Sequence, residues 1–288
     1  MKKLLIISLS VILVLLSISS VFAVVYFEYE DFTYYIDDDE AIISEYTGTS
    51  TSIDVPNSIG NDPIRAIGFS AFSDMTTITS VSLPDSLYYI YPSAFKGMTS
   101  LTEITIPKYC RNIAISAFQN CDSLTSVTFN TDLLSSINAQ TFRNCTSLQS
   151  IAIPDNVTLI GAYAFQNCSS LRNVIIPQSV TSISSTAFDG CNNLTITCYD
   201  NSCAMQYAID NGIDYDVIDP LKGDFDGDGV VTVNDATYIQ MNDVGMSIPF
   251  TVDKHALKRG EVTGDGEVDV RDATMVQMKL ANMISSFD

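Results

Sequence analysis

Asp224, Asp226, Asp228 and Asp235 stand at positions 1, 3, 5 and 12 of a twelve-residue stretch, with Gly229 at position 6. That spacing wraps oxygen atoms round a single hard cation. Val230 at position 7 would add its carbonyl, and Thr232 at position 9 would act directly or through water. Glycine at position 6 permits the sharp turn. The chemistry implied is calcium binding; an acidic surface turn is the alternative. A second copy begins at Glu261, with Glu261, Thr263, Asp265, Glu267 (carbonyl), Asp269 and Asp272 at the same positions and Gly266 at position 6. Aligning 224–241 with 261–278 gives ten identities in eighteen. Glutamate at position 1 and threonine at position 3 give the second loop fewer and longer ligands, so two Ca2+ sites are expected, the second weaker.

These loops need elements to hold them. Pro220 and Gly223 break any helix entering the first loop, so each unit reads as loop then helix. The first helix is expected over Ala236 to about Val244. Between the copies, Thr251–Arg259 reads as a cap and a short helix. The lone histidine, His255, falls there and reads as a surface residue.

Upstream, the chain repeats. Ala-Phe recurs at 71–72, 94–95, 117–118, 164–165 and 187–188, with Thr141-Phe142 in the remaining slot. The phenylalanines thus keep a period of 23, with a single step of 24 between Phe118 and Phe142. Ile78, Leu101, Leu124, Leu148, Leu171 and Leu194 follow in step, and Pro84, Pro107, Pro154 and Pro177 close short extended segments. In 171–176, positions 171, 174 and 176 point to one side, as in the strand of a leucine-rich repeat. One such unit cannot bury its apolar face, so units must stack. At strand spacing, six coils give a solenoid on the order of 30 Å long. Cys121, Cys145, Cys168 and Cys191 share one slot with Met75 and Met98, which marks that slot as apolar. Buried thiols are therefore expected in preference to disulfides. Cys110 reads as core, and pairing of Cys198 with Cys203 stays open. Outward strand positions such as Thr79, Ser82, Thr102, Thr125 and Asn173 are small and polar. Tyr88, Tyr89 and Tyr91 break this pattern and form a candidate ligand patch, or a locally packed surface.

The repeats resemble the BspA-like leucine-rich repeats of bacterial surface and secreted proteins over about residues 32–218. The resemblance includes an opening hairpin, Phe32–Ile36 through Ile42–Gly48, and a closing cap, Cys198–Tyr215. The duplicated loop-helix units closely resemble type I dockerins over about 221–285, which implies a cohesin module of a scaffoldin as partner. By that resemblance Val233, Asn234, Gln240 and Met241 in copy one, and Val270, Arg271, Gln277 and Met278 in copy two, contact the cohesin. Packing alone is the alternative for these positions.

The expectation is thus a mixed fold. A leucine-rich-repeat, β-solenoid-like domain of about six repeats occupies 24–218, and a small all-α calcium-binding dockerin of duplicated F-hand units occupies 219–288. Lys2, Lys3, an apolar run over 4–16 and Val21-Phe22-Ala23 read as a signal peptide over 1–23, with an uncleaved anchor as alternative. The protein is then secreted, extracellular and attached to a cell-surface complex, with no membrane contact after cleavage. With 34 acidic against 14 basic residues and a net charge of −20, nucleic acid is excluded as partner. One histidine and no carboxylate pair that breaks the repeat period argue against an enzyme. The reading is a non-catalytic cellulosome-type component whose repeats bind a protein or surface ligand. The alternatives are an adhesin for cell or fibre surfaces and a polysaccharide hydrolase.

Overall fold

The computed structural model describes residues 24–218, 222–227, 230–249, 252, 254–281, 284, 286 and 287. The signal-peptide reading over 1–23 and the capping role of Thr251 lie outside the described residues. Two compact units divide between Leu194 and Thr195.

The first unit is a β-solenoid. Its front column is built of short parallel strands, Ser52–Asp54, Ser80–Ser82, Glu103–Ile106 and Ser126–Phe129, then Ser150–Ala152 with Asn173–Ile175. Leu171, Val174 and Ile176 are fully buried while Ile175 faces out, as the alternation requires. A back column of two-residue strands, from Tyr89–Ile90 to Ser182–Ile183, supplies Ile90, Ile113, Ile137 and Ile160 to the same interior. A third column explains the Ala-Phe dipeptide. From Phe72 to Phe165, each Phe amide donates to the carbonyl one coil on: Phe72 to Ala94 at 2.8 Å, Phe118 to Thr141 at 2.9 Å, Phe165 to Ala187 at 2.8 Å. Successive rings from Phe72 to Phe188 stack at 5.3, 5.0, 5.6, 5.5 and 5.1 Å between centroids. Thr141 fits the buried alanine slot because its hydroxyl donates to Asn138 O at 2.8 Å.

The cysteine slot is a thiol ladder. The Sγ atoms of Cys121, Cys145, Cys168 and Cys191 donate to the carbonyls of Phe95, Phe118, Phe142 and Phe165 at 3.1–3.2 Å. All seven cysteines are free thiols, so Cys198 and Cys203 are not paired. Burial pushes Cys110 and Cys121 up to about 12 and Cys191 up to about 11. The residue before each ladder position has a left-handed backbone: Asp74, Gly97, Asn120, Asn144, Asn167 and Gly190. Asparagine and glycine tolerate that region, and Asn144 and Asn167 add side-chain bonds to the preceding coil at 2.7 and 3.0 Å.

The structure adds a rung ahead of the six periodic repeats. Ser52–Asp54 and Asp62–Ile67 form an additional rung, burying Ile53, Val55, Ile64 and Ile67. Ser52 pairs with Ser80, a longer step than the usual coil, because a small antiparallel hairpin at 58–63 is inserted and hides the period. The hairpin Phe32–Asp37 with Glu40–Tyr46 is present as expected, with Asp38 and Asp39 at φ 47° and 61° in its turn, and Tyr26–Tyr29 adds an outer strand.

In the second unit, Thr195–Cys198 and Asp214–Val217 pair in parallel around helix α1, Cys203–Asn211. Ser202 caps that helix, and Gly212 ends it in the left-handed region. Helices α2 (Val233–Asp243), α3 (Lys254–Gly260) and α4 (Val270–Leu280) follow. They enclose a small core of Phe225, Ala236, Ile239, Ala256, Val262, Ala273 and Val276. Helix α2 begins at Val233, ahead of the expected Ala236. Thr232 accepts from Asn234 N and forms a capping box with Asp235, so the end of the loop is already helical.

Candidate metal centre

The first loop brings its carboxylates together. Asp224, Asp226 and Asp235 each place an oxygen within 4.8 Å of the others, the one such group among the described residues. Asp224 and Asp235 are fully buried and Asp226 is half-buried. Backbone donors orient them: Gly227 N to Asp224 Oδ1 at 2.8 Å, Asp226 N to Asp235 Oδ1 at 3.1 Å and Thr232 N to Asp235 Oδ2 at 2.7 Å. Gly227 sits at φ 78° against Arg259, whose Nε donates to the Asp224 carbonyl at 2.8 Å. Arg259 thereby braces the loop backbone. Two buried carboxylates side by side are expensive unless a cation neutralises them, and an all-oxygen set suits Ca2+. Asp228 and Gly229 lie outside the described residues. Thr232 caps α2, as Asp269 at the same loop position caps α4, and the Val230 side chain is exposed, which leaves its role to the carbonyl.

The second loop is arranged differently. Asp272 repeats the role of Asp235, fully buried and accepting from Val262 N at 2.8 Å, Thr263 N at 2.9 Å and Asp269 N at 2.9 Å. Glu261 turns its carboxylate onto Gly264 N, Asp265 N and the Thr263 hydroxyl. Asp265 and Asp269 meet the guanidinium of Arg271 instead of converging on Asp272. That contact raises the Arg271 pKa, and its hydrogen bond holds the Asp269 carboxyl below its ordinary value. Glu267 lies 3.8 Å from the same guanidinium. The sequence singled out Arg271 as a partner contact; its reach into its own loop was missed.

The proposed partner positions are accessible. Val233, Asn234, Val270 and Gln277 are exposed, Gln240, Met241 and Met278 are half-buried, and Ile239 and Val276 behind them are fully buried. His255 overturns the surface reading. It is 6% exposed and stacks on Tyr215 at 3.9 Å and 4°. Lys258 Nζ donates to Val217 O at 2.6 Å, so helix α3 is fixed to the strand Asp214–Val217. Nothing in the local sequence marks these contacts, because their partners lie far apart along the chain.

On the solenoid, outward threonines serve the stack: Thr102 Oγ1 donates to Thr79 O at 3.3 Å and Thr125 Oγ1 to Thr102 O at 2.9 Å. Beside them is a concavity of about 640 Å³ lined by Ser52, Asp54, Ser80, Asp85, Glu103 and Thr105 among others. Asp54 and Asp85 were not candidates from sequence, because they lie in the displaced first rung and in a turn. The Tyr88 ring is sandwiched by Arg65 at 4.4 Å and Arg111 at 4.8 Å, so both of its faces are taken. Tyr89 and Tyr91 lie 6.3 Å apart, and Tyr91 rests on Phe69, which is 66% exposed. Among the described residues no helix is long and apolar enough to cross a membrane.

Six copies of the BspA type leucine-rich repeat region match residues 48–202. Among solved structures, the chain is similar to a Treponema pallidum leucine-rich repeat protein at 25% identity and TM-score 0.53, over 66% of this chain and 97% of that one. It is also similar to a leucine-rich cell surface protein of Faecalibacterium prausnitzii, at 26% identity and TM-score 0.50, over 61% of this chain and 55% of that one. No curated protein matches.

Proposed function

The chain belongs to the BspA-type leucine-rich-repeat family, and from that premise we propose that it is a non-catalytic extracellular binding protein with two working parts. The repeat domain engages a protein or surface ligand. The C-terminal helical module is a calcium-dependent dockerin that attaches the chain to a cohesin on a scaffoldin, as a component of a cellulosome-type complex. The observation that carries the second part is the convergence of Asp224, Asp226 and Asp235, two of them fully buried. Asp224, Asp226 and Asp235 would hold the ion, with Asp228 and the Val230 carbonyl completing the set; bound calcium would supply the positive charge that lets this loop close. The second loop would hold its ion through Glu261, Thr263, Asp265, the Glu267 carbonyl, Asp269 and Asp272, less tightly. Val233 with Asn234, and Val270 with Arg271, open the two duplicated helices and offer related faces to a partner.

The test is retention of the purified chain on immobilised type I cohesins, with calcium and with chelator. Retention in calcium and release by chelator supports the reading. Absence of calcium-dependent retention on every cohesin, by a chain whose helical signal is intact, refutes the cohesin assignment. An adhesin reading of the repeats has its own support in the cell-surface description of the Faecalibacterium relative. Cell-surface binding by the full chain that persists in chelator would favour it.

A further inference from the structure

We infer that Arg271 is a built-in counter-ion of the second loop, standing where a divalent cation would otherwise be needed, so that the module carries one demanding calcium site and one loop held closed by arginine. The inference rests on the calcium reading of the first loop and deepens it.

The two loops share their fold and differ at several ligand positions, and each meets an arginine: Arg259 Nε donates to the Asp224 carbonyl of copy one, whereas Arg271 takes carboxylates of copy two. Copy one has Asn234 directly after Val233, and copy two has Arg271 directly after Val270. Asn234 is exposed, and its loop gathers three carboxylates. Arg271 reaches back over its own loop. Its Nη1 is 2.7 Å from Asp265 Oδ2, its Nε is 2.9 Å from Asp269 Oδ2, and Nη2 also meets Asp269. Asp265 and Asp269 are loop positions 5 and 9, the ones a cation would draw on. A guanidinium presents several donors in a fixed fork and stays charged at any working pH. It neutralises these carboxylates without the strict coordination number that a metal demands.

The rest of the second loop is satisfied without an ion as well. Glu261 at position 1 accepts from Asp265 N at 3.0 Å and from Gly264 N, and the buried Asp272 accepts three backbone N–H groups. Any cation entering must displace the Arg271 fork and turn Glu261 inward. The contacts are exposed, with the Arg271 side chain 58% accessible, so the competition is moderate and screened by salt.

The experiment is calcium titration by calorimetry of the full chain, of Arg271→Asn, and of each in an Asp224→Asn background that silences the first loop. Amide exchange of residues 263–269 in calcium-free buffer is the second readout. Arg271→Asn is expected to tighten the weaker event about tenfold, less at high salt, and to speed exchange in the ion-free loop. The stronger event should stay unchanged, and Asp224→Asn should remove it. If Arg271→Asn leaves both the weaker event and the exchange rates as they were, the inference is overturned, while loss of the stronger event in Asp224→Asn keeps the calcium reading. If the wild-type chain binds no calcium at all, the calcium reading falls and the inference falls with it.

Discussion

Replacing Asp226 by asparagine should change module stability in opposite directions with and without calcium. The carboxylate oxygens of Asp224, Asp226 and Asp235 lie within 4.8 Å of one another. At an effective dielectric of about 20, two unit charges at that distance repel by about 3 kcal/mol. Asp226 is half-buried, so screening reduces its share to about 1–2 kcal/mol. Asparagine removes that repulsion but keeps a polar side chain of the same shape. In chelator, Asp226→Asn should therefore be more stable than wild type, raising the melting point of the helical module by about 5–10 °C. In calcium the order reverses. Wild type gains about 2.7 kcal/mol when the ion is at a hundred times its dissociation constant, and the variant has lost a ligand. The assay is thermal unfolding followed by the helical circular dichroism of the C-terminal unit, in matched buffers. Equal destabilisation in both buffers would mean that Asp226 is merely a structural acceptor, and the reasoning from converging charge would fail.

Two further outcomes concern the solenoid. Phe118 is fully buried and stacks at 5.0 and 5.6 Å between Phe95 and Phe142, so Phe118→Ala should cost about 3–5 kcal/mol of repeat-domain stability; an unchanged denaturation midpoint would show that neighbouring coils close the gap. The thiol ladder should resist alkylation in the native state. Because burial raises Cys110 and Cys121 from 9.0 to about 12, the unfolded chain loses these protons first. The thiols' contribution is therefore whole below about pH 9 and fades as pH rises toward 12. Denaturation midpoints that hold level across that range, or rapid labelling of Cys121, Cys145 or Cys168 in the native protein, would contradict the buried ladder.

Some elements were legible because the signal is local and repeated. The Phe72-to-Phe188 spacing, the leucine and proline positions and the shared Cys/Met slot each report one coil's interior, and stacking turns that period into a solenoid. Where the period is broken, the sequence misled. The hairpin at 58–63 lengthens the step from the first rung to the next, and Ile53 and Ile64 are core without matching the repeat. Helix α2 starts at Val233 rather than after the twelve-residue loop closes at Asp235, because Thr232 serves as its cap.

What the sequence by itself determined is the set of distances along the chain: the regular return of Ala-Phe that marks each coil, oxygen ligands at alternate positions, and a duplication that brings back the Asp224 loop at Glu261. These fix local conformation, because periodic burial and turn chemistry act over a few neighbours. Only the tertiary structure decided which charges neutralise each other. It brought Asp224 and Asp235 together as buried neighbours and gave Asp265 and Asp269 an arginine. It also withdrew His255 from solvent onto Tyr215 and clamped Tyr88 between Arg65 and Arg111. The energy of a charge or a ring depends on its surroundings in space, on burial and on partners distant along the chain, and no spacing along one segment carries that information.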